Sequence, residues 1–97
     1  MAGEEAPLTL RIVTPAGLAA QVRSDSIHLT LADDRHGRGG GDIGILRGHA
    51  RAVLSLGPGP VRARIGTREV YRTVLSGGFA RVERDIVTVV TNGNGDT

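Results

Sequence analysis

The chain has no cysteine, no lysine and no tryptophan, and its only aromatic residues are Tyr71 and Phe79. Each absence removes a class of function. Without cysteine there is no disulfide, no thiol nucleophile and no cysteine-based zinc or iron–sulfur site, and the composition fits a reducing compartment. Without lysine there is no Walker A phosphate loop, which needs that ammonium on the phosphates. Two aromatics make no stacking platform for single-stranded nucleic acid. No apolar run approaches the roughly 20 residues of a membrane-spanning helix. Met1-Ala2-Gly3-Glu4-Glu5 is acidic and lacks the basic and apolar regions of a secretory signal. A cytosolic protein is expected, peripheral to a membrane only through a partner.

What is present is short, apolar and glycine-punctuated. The 97 residues suffice for one small domain with a modest core. All 12 basic residues are arginine against 10 acids, a net charge of +2. The arginine-only usage reads first as codon bias from a GC-rich genome. Acids interleaved with the arginines argue against a nucleic-acid surface.

Positions 1–7 are small and acidic, end at Pro7, and read as a flexible arm. In 8–13, Leu8, Leu10 and Ile12 alternate with Thr9 and Arg11, the period of a strand with one wet face. Thr14-Pro15-Ala16-Gly17 is a turn, and 18–22 a second strand. Ser26–Leu31 alternates most cleanly, with Ile27, Leu29 and Leu31 inward and His28 on the exposed polar side. Residues 32–41 form a polar, glycine-rich loop that is expected to be mobile. Gly41–Ala50 then reads as a short strand, buried through Ile43, Ile45 and Leu46, that leaves its sheet by a tight Gly48-His49 turn. Strands follow at 52–56, 61–65 and 69–75, separated by a hard Gly57–Pro60 turn and a Gly66-Thr67 hairpin. Ser76-Gly77-Gly78 breaks the run and bends the chain between sheets. A last hairpin pairs 79–83 with 86–91 around Arg84-Asp85, and 92–97 is a polar tail. No window of helical period occurs. The fold class is therefore all-β, a β-sandwich or flattened barrel spanning 8–91, without internal repeat.

Candidate chemistry is sparse. Gly39–Gly44 satisfies G-x-G-x-x-G, but a strand-like segment follows it where a dinucleotide site needs a helix N-terminus. Asp33, Asp34 and His36 are possible metal ligands, yet one glycine-rich loop with no second cluster reads better as solvated. Ser76 lacks the flanking glycines and the strand-to-helix turn of a nucleophile elbow. His49, held between Gly48 and Ala50, reads as a backbone-bonded turn histidine rather than an acid–base group. The residues thus indicate a binding or structural module with no catalytic, cofactor or metal site. Two alternatives remain: RNA binding through Arg62, Arg64, Arg72 and Arg81, or a small-ligand or metal module using the Asp33–His36 loop.

Three blocks carry a resemblance. Leu10–Gly17, Asp42-Ile43-Gly44-Ile45-Leu46-Arg47-Gly48-His49-Ala50, and Leu75–Val82 followed by Ile86–Val90 resemble, in order and spacing, the epsilon subunit of bacterial F-type ATP synthases, the counterpart of mitochondrial delta. The resemblance implies an N-terminal β-sandwich of about ten strands in the rotor's central stalk. Such a subunit binds gamma and the polar loops of the membrane c-ring, is non-catalytic, and sits on the cytoplasmic face of the bacterial inner membrane. It couples ion-driven rotation to ATP synthesis or hydrolysis, without nucleic acid. By the same resemblance, Asp42, Ile43, Gly44 and His49 are expected toward the c-ring, and Thr14, Ala50, Val53 and Leu54 toward gamma. Arg47 and Arg51 stand where prolines are usual, and the loop before Asp42 is longer than usual. The family's helical hairpin, which brakes hydrolysis and in some members binds ATP, is expected to be missing, and Met1 with the polar tail favours a natural short form.

Overall fold

The computed structural model of the chain describes residues 6–33 and 41–92. Those residues form nine strands and no helix: β1 Leu8–Thr14, β2 Gly17–Ser24, β3 Ser26–Thr30, β4 Asp42–Leu46, β5 Ala52–Leu56, β6 Gly59–Ile65, β7 Arg68–Leu75, β8 Gly78–Glu83 and β9 Ile86–Val90. Two sheets result, a five-stranded one in the order β2-β1-β9-β8-β5 and a four-stranded one in the order β4-β3-β6-β7. Neighbours are antiparallel except β1 and β9, which run parallel.

The alternation read from the sequence sets what each strand buries. Leu8, Leu10 and Ile12 of β1, Ala80 and Val82 of β8, and Val87 and Val89 of β9 point into the sandwich from the first sheet. Ile27, Leu29, Ile45, Val61, Ala63 and Leu75 meet them from the second. All are essentially sealed from solvent. Truncating any of the leucines or isoleucines to alanine costs about 2–5 kcal/mol, from lost transfer and the cavity left behind.

The chain changes sheet where glycine allows it. Gly78 opens β8 at φ +142°, and a Cβ there would run into the carbonyl oxygen of Val90. The Ser76-Gly77-Gly78 break is thus the crossing from β7 to β8 that the sequence suggested. At the far end of β8 a two-residue turn places Arg84 and Asp85 both at positive φ, 53° and 63°. That is the primed geometry whose twist suits a tight hairpin.

Several expectations need correction. Leu46 is not part of the buried root but is 61% exposed. Strand alternation puts Ile43 and Ile45 on one side of β4 and turns Leu46 to the other. His28 is half-buried rather than exposed, because Gly44, its neighbour across β3–β4, has no side chain to hold it out. The turn after β5 is shorter than Gly57–Pro60, since Gly59 and Pro60 already belong to β6. Ala6 belongs to the fold rather than the arm: it is fully buried, and its carbonyl accepts from the Arg23 guanidinium at 2.6 and 3.2 Å. Expectations for residues 1–5, for 34–40 with Asp34, His36, Gly39 and Gly40, and for 93–97 lie outside the described residues.

Candidate functional site

The outer face of the five-stranded sheet carries side chains in registered rows. One row runs Leu18, Val13, Val90, Phe79 and Ser55, from β2 through β1, β9 and β8 to β5. The next runs Arg11, Thr88, Arg81 and Val53, and the third Thr9, Ile86 and Glu83. Phe79 is 58% exposed and Val53 74%, with Leu18 and Val90 also more than half exposed. Val53 stands diagonal to Phe79, so Leu18, Val13, Val90, Phe79 and Val53 form one apolar surface of a kind that marks a partner.

Beside this surface lies a cavity of about 300 Å³ lined by Arg11, Arg81, Glu83, Arg84, Ile86 and Thr88. Glu83 is paired at both oxygens, Oε1 with Arg81 at 3.0 Å and Oε2 with Arg51 Nε at 3.1 Å.

The outer face of the four-stranded sheet is polar. Its central row runs Gly44, His28, Arg62 and Arg72 from β4 to β7. The His28 ring sits under Gly44, its Nε2 3.5 Å from where a Cβ would stand. Asp42 reaches across β3 to Arg62 at 3.7 Å. Arg81 is on the opposite sheet from Arg62, Arg64 and Arg72, so the four arginines of the RNA-binding alternative do not form one surface. Among the described residues, no group of three His, Cys, Asp or Glu side chains is placed to hold a metal.

The structure divides the other sequence-derived candidates between two ends. Asp42 opens β4 beside Thr30, and Gly44 follows on the same outer face, while Ile43 turns inward. His49 lies beyond the other end of β4, about 13 Å of strand away. There the His49 N–H donates to the Leu46 carbonyl at 3.1 Å, and its Nδ1 lies 2.8 Å from the Ala50 carbonyl. A carbonyl only accepts, so Nδ1 carries the proton and Nε2 is left as the ring's acceptor in the neutral form. Thr14 ends β1 at the Asp42 end, its Oγ1 accepting from the Ala16 N–H at 3.2 Å. Ala50 is exposed at the His49 end, Val53 lies on the apolar face, and Leu54 packs inward on the core.

Sequence reasoning missed Phe79, Val90 and Leu18 as surface features. Phe79 carried a usable signal, since it alternates with the buried Ala80 and Val82. Val90 carried none, because β9 is apolar or β-branched at every position.

A model of the ATP synthase Delta/Epsilon chain beta-sandwich domain matches residues 7–94. The chain belongs to this family. Among curated relatives it is 34% identical over 93 residues to the ATP synthase epsilon chain of Nostoc sp. strain PCC 7120, covering 93% of this chain and 63% of that protein. It is 48% identical over 54 residues to the epsilon chain of Chromohalobacter salexigens, covering 54% of this chain and 37% of that one. The chain therefore spans less than two thirds of the length of these delta/epsilon relatives. Among solved structures, a chain of the Euglena gracilis mitochondrial ATP synthase OSCP/F1/c-ring assembly superposes with a TM-score of 0.68 at 26% identity. That match covers 92% of this chain and 52% of the other. A chain of the Tetrahymena thermophila mitochondrial ATP synthase central stalk and c-ring gives a TM-score of 0.64 at 14% identity, over 91% and 65%, and shares the fold. The nine-stranded sandwich agrees with the delta/epsilon β-sandwich domain in class, without a helix among the described residues.

Proposed function

We propose that this chain is the β-sandwich of a central-stalk rotor subunit in a bacterial ATP synthase, non-catalytic, held between the gamma subunit and the polar loops of the c-ring. The observation that carries the reading is the exposed apolar row Leu18–Val13–Val90–Phe79 with Val53 beside it. A small domain gains stability by covering such a surface, and a rotor subunit needs one firm face on the shaft. Gamma docks along this face. Thr14 and Ala50 mark its two ends, Val53 lies within it, and Leu54 supports it from behind. His49 sides with gamma, because it lies at the opposite end of β4 from Asp42.

The Asp42 end meets the ring. Asp42 and Gly44 present a polar edge there, with the half-buried Ile43 as its root. The polar loops of a membrane ring are a fitting counterpart for an acidic, solvated edge. The subunit is then peripheral, on the cytoplasmic face where those loops protrude, and passes rotation without making or breaking bonds. It needs no cofactor and no nucleic acid.

Co-purification with the gamma subunit tests the reading. The wild-type chain forms a one-to-one complex at micromolar concentration, and Phe79→Asp combined with Val90→Asp removes it while leaving the fold intact. Absence of a wild-type complex overturns the proposal. For the ring, Asp42→Cys gives the chain a single thiol, which is expected to cross-link to a cysteine placed in the polar loop of the ring subunit.

A further inference from the structure

The cavity beside the apolar row is unbalanced in charge. Three guanidinium groups line it against one carboxylate, Glu83, whose two oxygens already serve Arg81 and Arg51. Arg11 and Arg84 have no acidic partner among the described residues. The Nε of Arg11 is shielded from solvent and has no hydrogen-bond acceptor among the described residues. Thr88 stands between Arg11 and Arg81 in register and lines the same depression.

Position decides what fills it. Thr88 and Val90 are alternate residues of one strand, so the Thr88 side of the cavity lies about 7 Å from the apolar row on the same face. A partner that covers Val90 and Phe79 also removes water from Arg11. A guanidinium stripped of water and left unpaired opposes association strongly, so a partner that binds here must bring an acceptor. The planar fork of arginine matches the two oxygens of a carboxylate. A free small anion has no use for the apolar row; an acidic side chain projecting from a docked protein uses both.

Resting on the reading that gamma docks on this face, we propose that gamma inserts one acidic side chain into the cavity. Its carboxylate is received by the Arg11 guanidinium, with Arg84 and the Thr88 hydroxyl as further donors. The apolar row supplies area, and the cavity fixes where along the face gamma sits.

The test measures gamma binding against salt concentration for the wild type, Arg11→Gln, Arg11→Lys and Arg84→Gln. The wild-type affinity falls with salt. Arg11→Gln weakens binding by at least about tenfold and flattens the salt dependence, and Arg11→Lys, which keeps charge but loses the fork, falls between. Melting temperatures show whether each variant folds, and Arg84→Gln reports on the same cavity should Arg11→Gln fail to fold. Wild-type binding with unchanged affinity and salt slope in these variants overturns this inference and leaves the docking face standing. No wild-type complex overturns the docking reading itself. Titration of the free chain with inorganic phosphate, followed by amide shifts, is expected to give no saturable response at Thr88. A saturating response there at submillimolar phosphate makes the cavity a small-anion site and overturns the carboxylate assignment.

Discussion

The backbone N–H of Gly48 donates to Asp85 Oδ1 at 2.8 Å, tying the β4–β5 loop to the β8–β9 turn. The bond closes one end of the sandwich between its two sheets. Asp85 also accepts, through its carbonyl, from the Thr9 N–H at 2.9 Å. One turn residue thus holds the His49 end together from both sides.

Asp85→Ala removes the side-chain acceptor and leaves a non-glycine residue without local hydrogen bonding at positive φ. A loss of about 1–2 kcal/mol is expected in urea denaturation. Asp85→Asn keeps the carbonyl acceptor and tolerates the conformation, so it stays within about 0.5 kcal/mol of wild type. Faster hydrogen exchange at Gly48 in the alanine variant alone checks the assignment.

Arg84 sits at φ 53°, and no side-chain hydrogen bond among the described residues needs it there. Arg84→Asn suits the same turn better and is expected to stabilise by up to about 1 kcal/mol. Thermal melting reads this as an upward shift of roughly 4–8 °C per kcal/mol for a domain of this size.

Gly78→Ala places a Cβ against the Val90 carbonyl in a backbone conformation that L-residues rarely adopt. The clash is with backbone and has no side chain to swing away. A destabilisation of about 2–4 kcal/mol is expected, read as a lowered urea midpoint at unchanged slope.

Asp42→Asn separates folding from coupling. Its ion pair with Arg62 is long, and the Asp42 side chain is 60% exposed. Loss of such a pair changes stability by less than about 0.5 kcal/mol. If Asp42 faces the ring, the variant folds as well as wild type while ATP-driven ion pumping by the reassembled complex declines. Unchanged pumping removes Asp42 from the ring contact.

How far the sequence could be read depends on the type of strand. In β3, strict alternation made Ile27 and Leu29 legible as core, and both are sealed. In β4, Ile43, Ile45 and Leu46 looked alike as an apolar cluster, and only the period of two separates Leu46 from the rest. In β9, alternation is silent: Val87 and Val89 are core while Ile86 and Val90 face out. The candidate site was legible as a stretch but not as a place. The order Asp42 to His49 along the chain says nothing about which end of the sandwich each reaches, because β5 leaves β4 to pair with β8 in the other sheet. Arg11 read correctly as the wet side of β1, but its neighbours across β9 and β8 come from residues some seventy positions later.

That long-range closure has a consequence for assembly in the cell. β9 is the last strand among the described residues, yet it lies at the centre of the five-stranded sheet and bridges β1 to β8. Until it has left the ribosome, the sheet is two separate fragments, and neither presents the full row from Leu18 to Phe79. A chain still being synthesised therefore lacks the complete apolar row, and the slow step of such a non-local topology precedes any docking on it. The row is whole only after synthesis has passed Val90, so the order of strands acts as a completeness check on the docking face proposed above.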